Sequence, residues 1–124
     1  ARELLERSGC AAVMIGRGAY GRPWLFRDAA RAIAGLDPLP PPGPEERCDL
    51  IAEHLEGMVA LLGPHGVKVF RKYARWYFRG VEGGEDFRRR ACRVSEPEDM
   101  RALVAEWRGY LASGPAPLEE PLPR

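Results

Sequence analysis

Several common signatures are scarce or missing from this chain of 124 residues. Its three cysteines, Cys10, Cys48 and Cys92, are odd in number and widely spaced, with no CxxC pair and no cysteine–histidine cluster. Neither a disulfide framework nor a zinc site is expected, and reduced thiols in a cytoplasmic setting are the default. No apolar run approaches the roughly 20 residues of a membrane span, and no signal peptide is recognisable, so no membrane partner is expected. An initiator methionine is absent, and no cap precedes the opening Ala1-Arg-Glu-Leu-Leu-Glu-Arg7. The expectation is a fragment of a longer protein, entered part-way through a helix. Net charge is only +1, so total charge favours no class of partner. One local absence is more informative: no acid lies between His65 and Val81.

That acid-free stretch holds Val67-Lys-Val-Phe-Arg-Lys-Tyr-Ala-Arg-Trp-Tyr-Phe-Arg79. On a helix at about 100° per residue, Lys68, Lys72, Arg75 and Arg79 fall at roughly 0°, 40°, −20° and 20°, with Arg71 near −60°. Phe70, Tyr73, Ala74 and Tyr77 take the opposite side. The pattern predicts an amphipathic helix whose polar face has a single sign and no i,i+4 acid to neutralise it. A solvated cationic face and a polyanion-binding face both fit. Residues 1–63 hold seven basic and nine acidic side chains, net −2; residues 64–93 hold nine and three, net +6; residues 94–124 hold three and six, net −3. The positive charge is confined to the middle of the chain, as expected where one surface meets an anionic partner.

Residues 1–8 read as the last turns of a helix with Leu4 and Leu5 inward, ended by Gly9 in a left-handed position. Ala11-Ala-Val-Met-Ile15, bounded by glycines, reads as a buried parallel strand. The loop Gly16-Arg-Gly-Ala-Tyr-Gly21 follows. Its exposed N–H groups and Arg17 could hold a phosphate at a helix N-terminus, or it could be a tight βα turn with no ligand. Pro23 opens a helix from Trp24 to about Ala34, with Leu25, Phe26, Ala29, Ala30 and Ile33 as its apolar stripe. Residues 36–44, with five prolines, form an extended linker and the one domain boundary. Helices are expected beyond it at 45–62, around 67–79, at 86–93 and at 98–111. His54, on an apolar face, is expected to be a hydrogen-bonded core or boundary residue. The Pro-rich tail, 113–124, is expected to be disordered. The fold class is mainly α: a bundle of about four helices preceded by one strand–helix unit.

Ser8-Gly-Cys-Ala-Ala-Val-Met-Ile-Gly-Arg-Gly-Ala-Tyr-Gly-Arg-Pro-Trp-Leu-Phe26 resembles the end of the barrel in bacterial tRNA-dihydrouridine synthases. Arg71-Lys-Tyr-Ala-Arg-Trp-Tyr77 and Phe87-Arg-Arg89 look like motifs of that family's helical domain, so the resemblance spans residues 1 to about 112. It implies a flavoprotein oxidoreductase with a (β/α)8 barrel (TIM barrel) that holds FMN, and a helical tRNA-binding domain. Such enzymes reduce a D-loop uridine to 5,6-dihydrouridine with electrons from NADPH, a step of tRNA processing. Residues 1–35 would then be the end of the barrel, 36–44 the linker and 45–112 the tRNA-binding, and hence RNA-binding, domain. The resemblance puts Gly16, Arg17 and Gly18 at the FMN phosphate, in keeping with phosphate sites after the last barrel strands. It puts Lys68, Arg71, Lys72, Arg75, Arg88, Arg89 and Arg90 on the tRNA.

No catalytic residue is assigned, because the family's catalytic cysteine lies in the earlier barrel and none of the three cysteines sits in a matching motif. The fragment alone is therefore expected to be inactive. Tyr73 departs from the family, where histidine is common; it could stack on a base or simply pack. A helical protein-interaction module, with Phe70, Tyr77 and Trp107 partly exposed, is the alternative. An orphan strand at 11–15 and an apolar face at 24–34 would repack on the bundle, become disordered, or drive self-association.

Overall fold

Prolines and glycines mark the helix ends. The computed structural model describes residues 1–117. Among them are α1 (Arg2–Ser8), α2 (Leu25–Ile33), α3 (Pro44–Leu62), α4 (His65–Tyr77), α5 (Gly84–Ala91) and α6 (Pro97–Ala112), with one 3-10 turn at Arg17–Ala19. Pro44 and Pro97 occupy first turns, where the missing N–H costs nothing. Glu45 and Glu46 begin α3, and Glu98 and Asp99 begin α6, where the helix dipole favours acids. Gly9 closes α1 at φ 68°.

The apolar stripes of α3 to α6 meet in one core. Ile51 and Leu55 come from α3, Val67, Phe70 and Ala74 from α4, Phe87 and Ala91 from α5, and Met100, Leu103, Val104 and Trp107 from α6. Trp107 is 2% exposed and meets Phe78 and Phe87 edge-on, with ring centroids 5.0 and 4.8 Å away. The helix α3 lies between α4 and α6, and α5 closes the far side against both. The α3–α4 crossing is close: a Cβ on Gly66 would fall 2.6 Å from the Met58 carbonyl carbon. Arg101 clasps Glu56 at 2.6 and 2.8 Å, and Arg108 reaches Glu45 and Asp49 at 2.5 and 2.7 Å. These exposed pairs fix the α3–α6 register more than they stabilise it, at about 0–1 kcal/mol each.

The mainly helical class is as expected, but the first 35 residues differ from expectation. No strand forms among the described residues; at 11–15 the chain is irregular, with Met14 95% exposed. A strand needs a ladder partner, and this segment has none among the described residues. The inward stripes of α1 and α2 bury nothing either: Leu4 is exposed, as are Phe26 and Ile33. Leu62, expected on the core face of α3, is also exposed. The linker is held by its carbonyls. Arg31 Nε donates to Asp37 at 2.9 Å, and Arg47 Nε donates to Pro42 at 2.9 Å. Of the tail, residues 113–117 run back past α5, where the Glu82 N–H donates to the Ala116 carbonyl at 2.9 Å. The rest of the stretch expected to be disordered, 118–124, lies outside the described residues.

His54 is half-buried between α3 and α4, as expected. Its Nδ1 and the Tyr77 hydroxyl are 2.9 Å apart, and its ring stands edge-on to Phe70 at 5.3 Å. Burial lowers the imidazole below its ordinary 6.5. Burial, helped by Tyr73, pushes the Tyr77 phenol up to about 12. The lowered histidine means that the unfolded chain binds the extra proton first. The stability His54 supplies is therefore complete above about pH 6.5 and drains away as pH falls below it. The urea midpoint is expected to fall between pH 7 and pH 5, and His54→Gln is expected to flatten that fall. A midpoint equally pH-dependent in the variant would assign the effect elsewhere.

Candidate nucleic-acid interface

Because Phe70 and Ala74 turn α4 inward, Lys68, Lys72 and Arg75 are left exposed along its outer face. Among the described residues none of the three has a carboxylate partner. The Lys72 ammonium sits 4.7 Å from the Tyr73 ring centroid and 5.7 Å from that of Tyr20. Such contacts are worth about 0.5–1 kcal/mol at an exposed site and leave the charge available.

The other cations expected on this face divide in two. The Arg71 guanidinium turns away and ties α4 to the start of α6, donating to the Val94 carbonyl at 2.6 Å and to Ser95 Oγ at 3.1 Å. Arg90 leaves the face altogether: its NH1 donates to Glu106 at 2.7 Å, its NH2 donates to the other oxygen, and Asp86 lies 3.7 Å away. Arg79 stacks on Trp76 at 4.9 Å. Arg88 is held by Glu85 at 2.5 Å, and Arg89 loosely by Asp86 at 3.5 Å. Arg75, Arg88 and Arg89 meet across a groove of about 300 Å³ between α4 and α5, and Arg93 joins them there. Sequence reading left Arg93 out of the site, although its i,i+4 spacing from Arg89 puts the two on one face.

The glycine loop packs against the same helix. The 3-10 turn is closed by Ala19 and Tyr20 N–H groups donating to the Gly16 and Arg17 carbonyls at 3.1 Å. Its open end leaves the Arg17 and Gly18 N–H groups without a backbone acceptor among the described residues. Tyr20 reaches across to α4, with ring centroids 5.7 Å from Tyr73 and 5.9 Å from Trp76. Behind it lies an open cavity of about 380 Å³, walled by Gly16, Arg17, Tyr20, Phe26, Tyr73 and Tyr77. Gly21, at φ 71°, backs directly onto the last turn of α4.

The family described as "Dihydrouridine synthase (Dus)" matches residues 1–108. The chain belongs to the dihydrouridine synthase family. It is 37% identical over 118 residues to a "tRNA-dihydrouridine synthase B" of Xanthomonas axonopodis pv. citri, covering 94% of this chain and 36% of that one. It is 39% identical over 120 residues to the protein of the same name from Xanthomonas campestris pv. campestris, covering 95% and 36%. For the protein of that name from Pseudomonas putida the values are 35% over 120 residues, 96% and 35%. The chain thus spans about a third of the length of these curated relatives.

In this member of the dihydrouridine synthase family, Tyr73 packs rather than projects. Its ring lies 4.8 Å from that of His54 and 5.7 Å from that of Tyr20. Of the three aromatics expected to be partly exposed in a protein-interaction module, Phe70 and Trp107 are buried in the core and Tyr77 is half-buried. Among the described residues no group of histidine, cysteine and acids could hold a metal, and no helix is long and apolar enough to cross a membrane.

Proposed function

We propose that this chain is part of a flavin-dependent tRNA-dihydrouridine synthase and that its own contribution is to bind tRNA. The observation that carries the reading is the row of Lys68, Lys72 and Arg75: exposed, of one sign, and free of carboxylate partners among the described residues. Cations spaced along one helix suit the phosphates of a nucleic-acid backbone, which give affinity and register without base specificity. The names of the relatives point to tRNA as the polyanion. Docked on this face, the tRNA would present a D-loop uridine to a barrel and be reduced there at the expense of NADPH.

The loop at 16–18 fits the phosphate end of FMN. Its donors are open N–H groups and the Arg17 guanidinium, an anion-binding set. A Cβ at Gly16 would meet nothing, and at Gly18 only Leu25 Cδ2 at 3.9 Å. The chain's own packing therefore leaves both positions open, with room for a ligand to approach the backbone closely. FMN would supply the hydride chemistry. Gly16, Arg17 and Gly18 would hold its phosphate beside α4. No catalytic role falls to Cys10, Cys48 or Cys92, and the chain by itself is proposed to be inactive.

The test is tRNA binding across a salt series. Lys72→Ala with Arg75→Ala is expected to weaken binding and flatten the log–log salt slope by about two units, one for each phosphate left without its cation. Binding as tight and as salt-dependent as that of the unaltered chain would overturn the reading. So would a preference for heparin or an acidic protein over folded tRNA.

A further inference from the structure

The groove between α4 and α5 gathers Arg75, Arg88 and Arg89, each expected singly on the tRNA, around one concave site together with Arg93, which was not. It is walled by Arg75 from α4, by Arg88 and Arg89 from α5, and by Cys92 and Arg93 just beyond, with Glu85 as its single carboxylate among the described residues. Glu85 is spent on Arg88 at 2.5 Å. Arg89 shares Asp86 at 3.5 Å with Arg90, whose stronger partner is Glu106. Arg75 and Arg93 have no carboxylate partner among the described residues. Like charges gathered at a concave surface raise the local potential and draw in an anion. Several guanidinium forks around one site suit the tetrahedral oxygens of a phosphate better than a row of lysines does.

We infer that this groove is a backbone-phosphate pocket of the RNA-binding face, in which Arg75, Arg89 and Arg93 hold the phosphate. The inference rests on the proposed RNA-binding role of α4 and deepens it. Arg75 belongs both to the α4 row and to the groove, so one nucleic-acid strand can run from Lys68 and Lys72 into the pocket. Arg88, locked on Glu85, shapes the wall. Arg71 and Arg90 are structural, bound to Val94 and Glu106 respectively. The basic cluster of α5 therefore divides by function within three residues: Arg89 faces the RNA, and Arg90 faces α6.

Cys92 gives the pocket a built-in reporter. It is exposed in the groove wall, whereas Cys48 is buried and its thiol is raised by that burial. In a Cys10→Ser background, the dianionic disulfide dithionitrobenzoate reports on Cys92, releasing one thionitrobenzoate for each thiol that reacts. The arginines are expected to speed this reaction. Arg89→Ala with Arg93→Ala is expected to slow it roughly tenfold at low salt, the lower end of electrostatic rate enhancement. Saturating tRNA is expected to protect the thiol. In tRNA binding, Arg93→Ala is expected to lower the salt slope by about one unit, Arg93→Lys to retain the slope, and Arg90→Ala to leave it unchanged. Circular dichroism checks that each variant is folded.

Three failures are distinguishable. If the unaltered chain binds tRNA but leaves Cys92 fully reactive, and Arg93→Ala keeps the slope, the pocket is overturned and the α4 face stands. If the unaltered chain binds no tRNA, both are overturned. Protection of Cys92 by an acidic peptide but not by tRNA would overturn the pocket in favour of a protein ligand.

Discussion

Trp107→Ala is expected to lower the unfolding free energy by about 3–5 kcal/mol, the range for truncating a large buried aromatic. The indole is the largest fully buried side chain, and it joins three helices: it lies on α6, touches Phe87 of α5 and touches Phe78 just beyond α4. Its removal leaves a cavity that these partners cannot all collapse into, because each is held by its own helix. Against a typical total of about 5–15 kcal/mol, such a loss brings the helical unit close to unfolding. A urea titration followed by far-ultraviolet circular dichroism gives the measurement. Trp24→Ala is the matched control. Trp24 is half-buried outside the core, under the Arg47 guanidinium at 5.2 Å, and its loss is expected to shift the midpoint far less. Equal shifts for the two tryptophans would mean that the core is not centred on Trp107.

The helices after the linker were legible because their signals are local. Pro44 and Pro97 announce first turns, and apolar periodicity picks out Ile51, Leu55, Met100, Leu103, Val104 and Trp107, all of which are buried. The direction of the cationic face of α4 was legible for the same reason. The fate of each cation on it was not. A helical wheel puts Arg71 beside Lys68 and Lys72, but what holds Arg71 is a carbonyl 23 residues away in sequence. Arg90 sits in a run of three arginines and is claimed by a glutamate 16 residues on. Long-range partners of this kind leave no trace in spacing. The strand expected at 11–15 fails on the same ground. Its apolar run signals burial, yet a strand is a property of a pair, and the described residues offer 11–15 no partner. Tyr20 carried no periodic signal either, because its importance comes from where the loop lands on α4.

Gly21→Ala is expected to separate that loop from the helical unit while leaving the core folded. Gly21 holds φ at 71°, and an alanine in the left-handed region costs about 1–2 kcal/mol. The added Cβ would also lie 2.7 Å from the Trp76 carbonyl oxygen and 2.8 Å from its carbonyl carbon. Those atoms belong to the backbone of α4's last turn and cannot swing aside as a side chain would. The loop must therefore lift, taking Tyr20 off Tyr73 and Trp76. What else ties this region to the helical unit is weak: α1 and α2 contribute no buried residue, Arg47 lies over Trp24 at 5.2 Å, Arg27 is 3.9 Å from Glu46, and residues 36–44 are held through carbonyl contacts to arginines. Loss of the nuclear Overhauser contacts between Tyr20 and Tyr73, with an almost unchanged urea midpoint for the helical core, is the expected result. Retention of those contacts would show that the close approach to Trp76 is not what seats the loop. The functional consequence follows from the proposed roles. Gly16, Arg17 and Gly18 would hold the cofactor phosphate, Lys72 and Arg75 would hold the tRNA, and Tyr20 bridges the two by lying between the loop and Lys72. In an enzyme containing this segment, Gly21→Ala is accordingly expected to depress dihydrouridine formation more than tRNA affinity. The proposed phosphate contacts on α4 would survive the change, and the alignment of the two proposed sites would not.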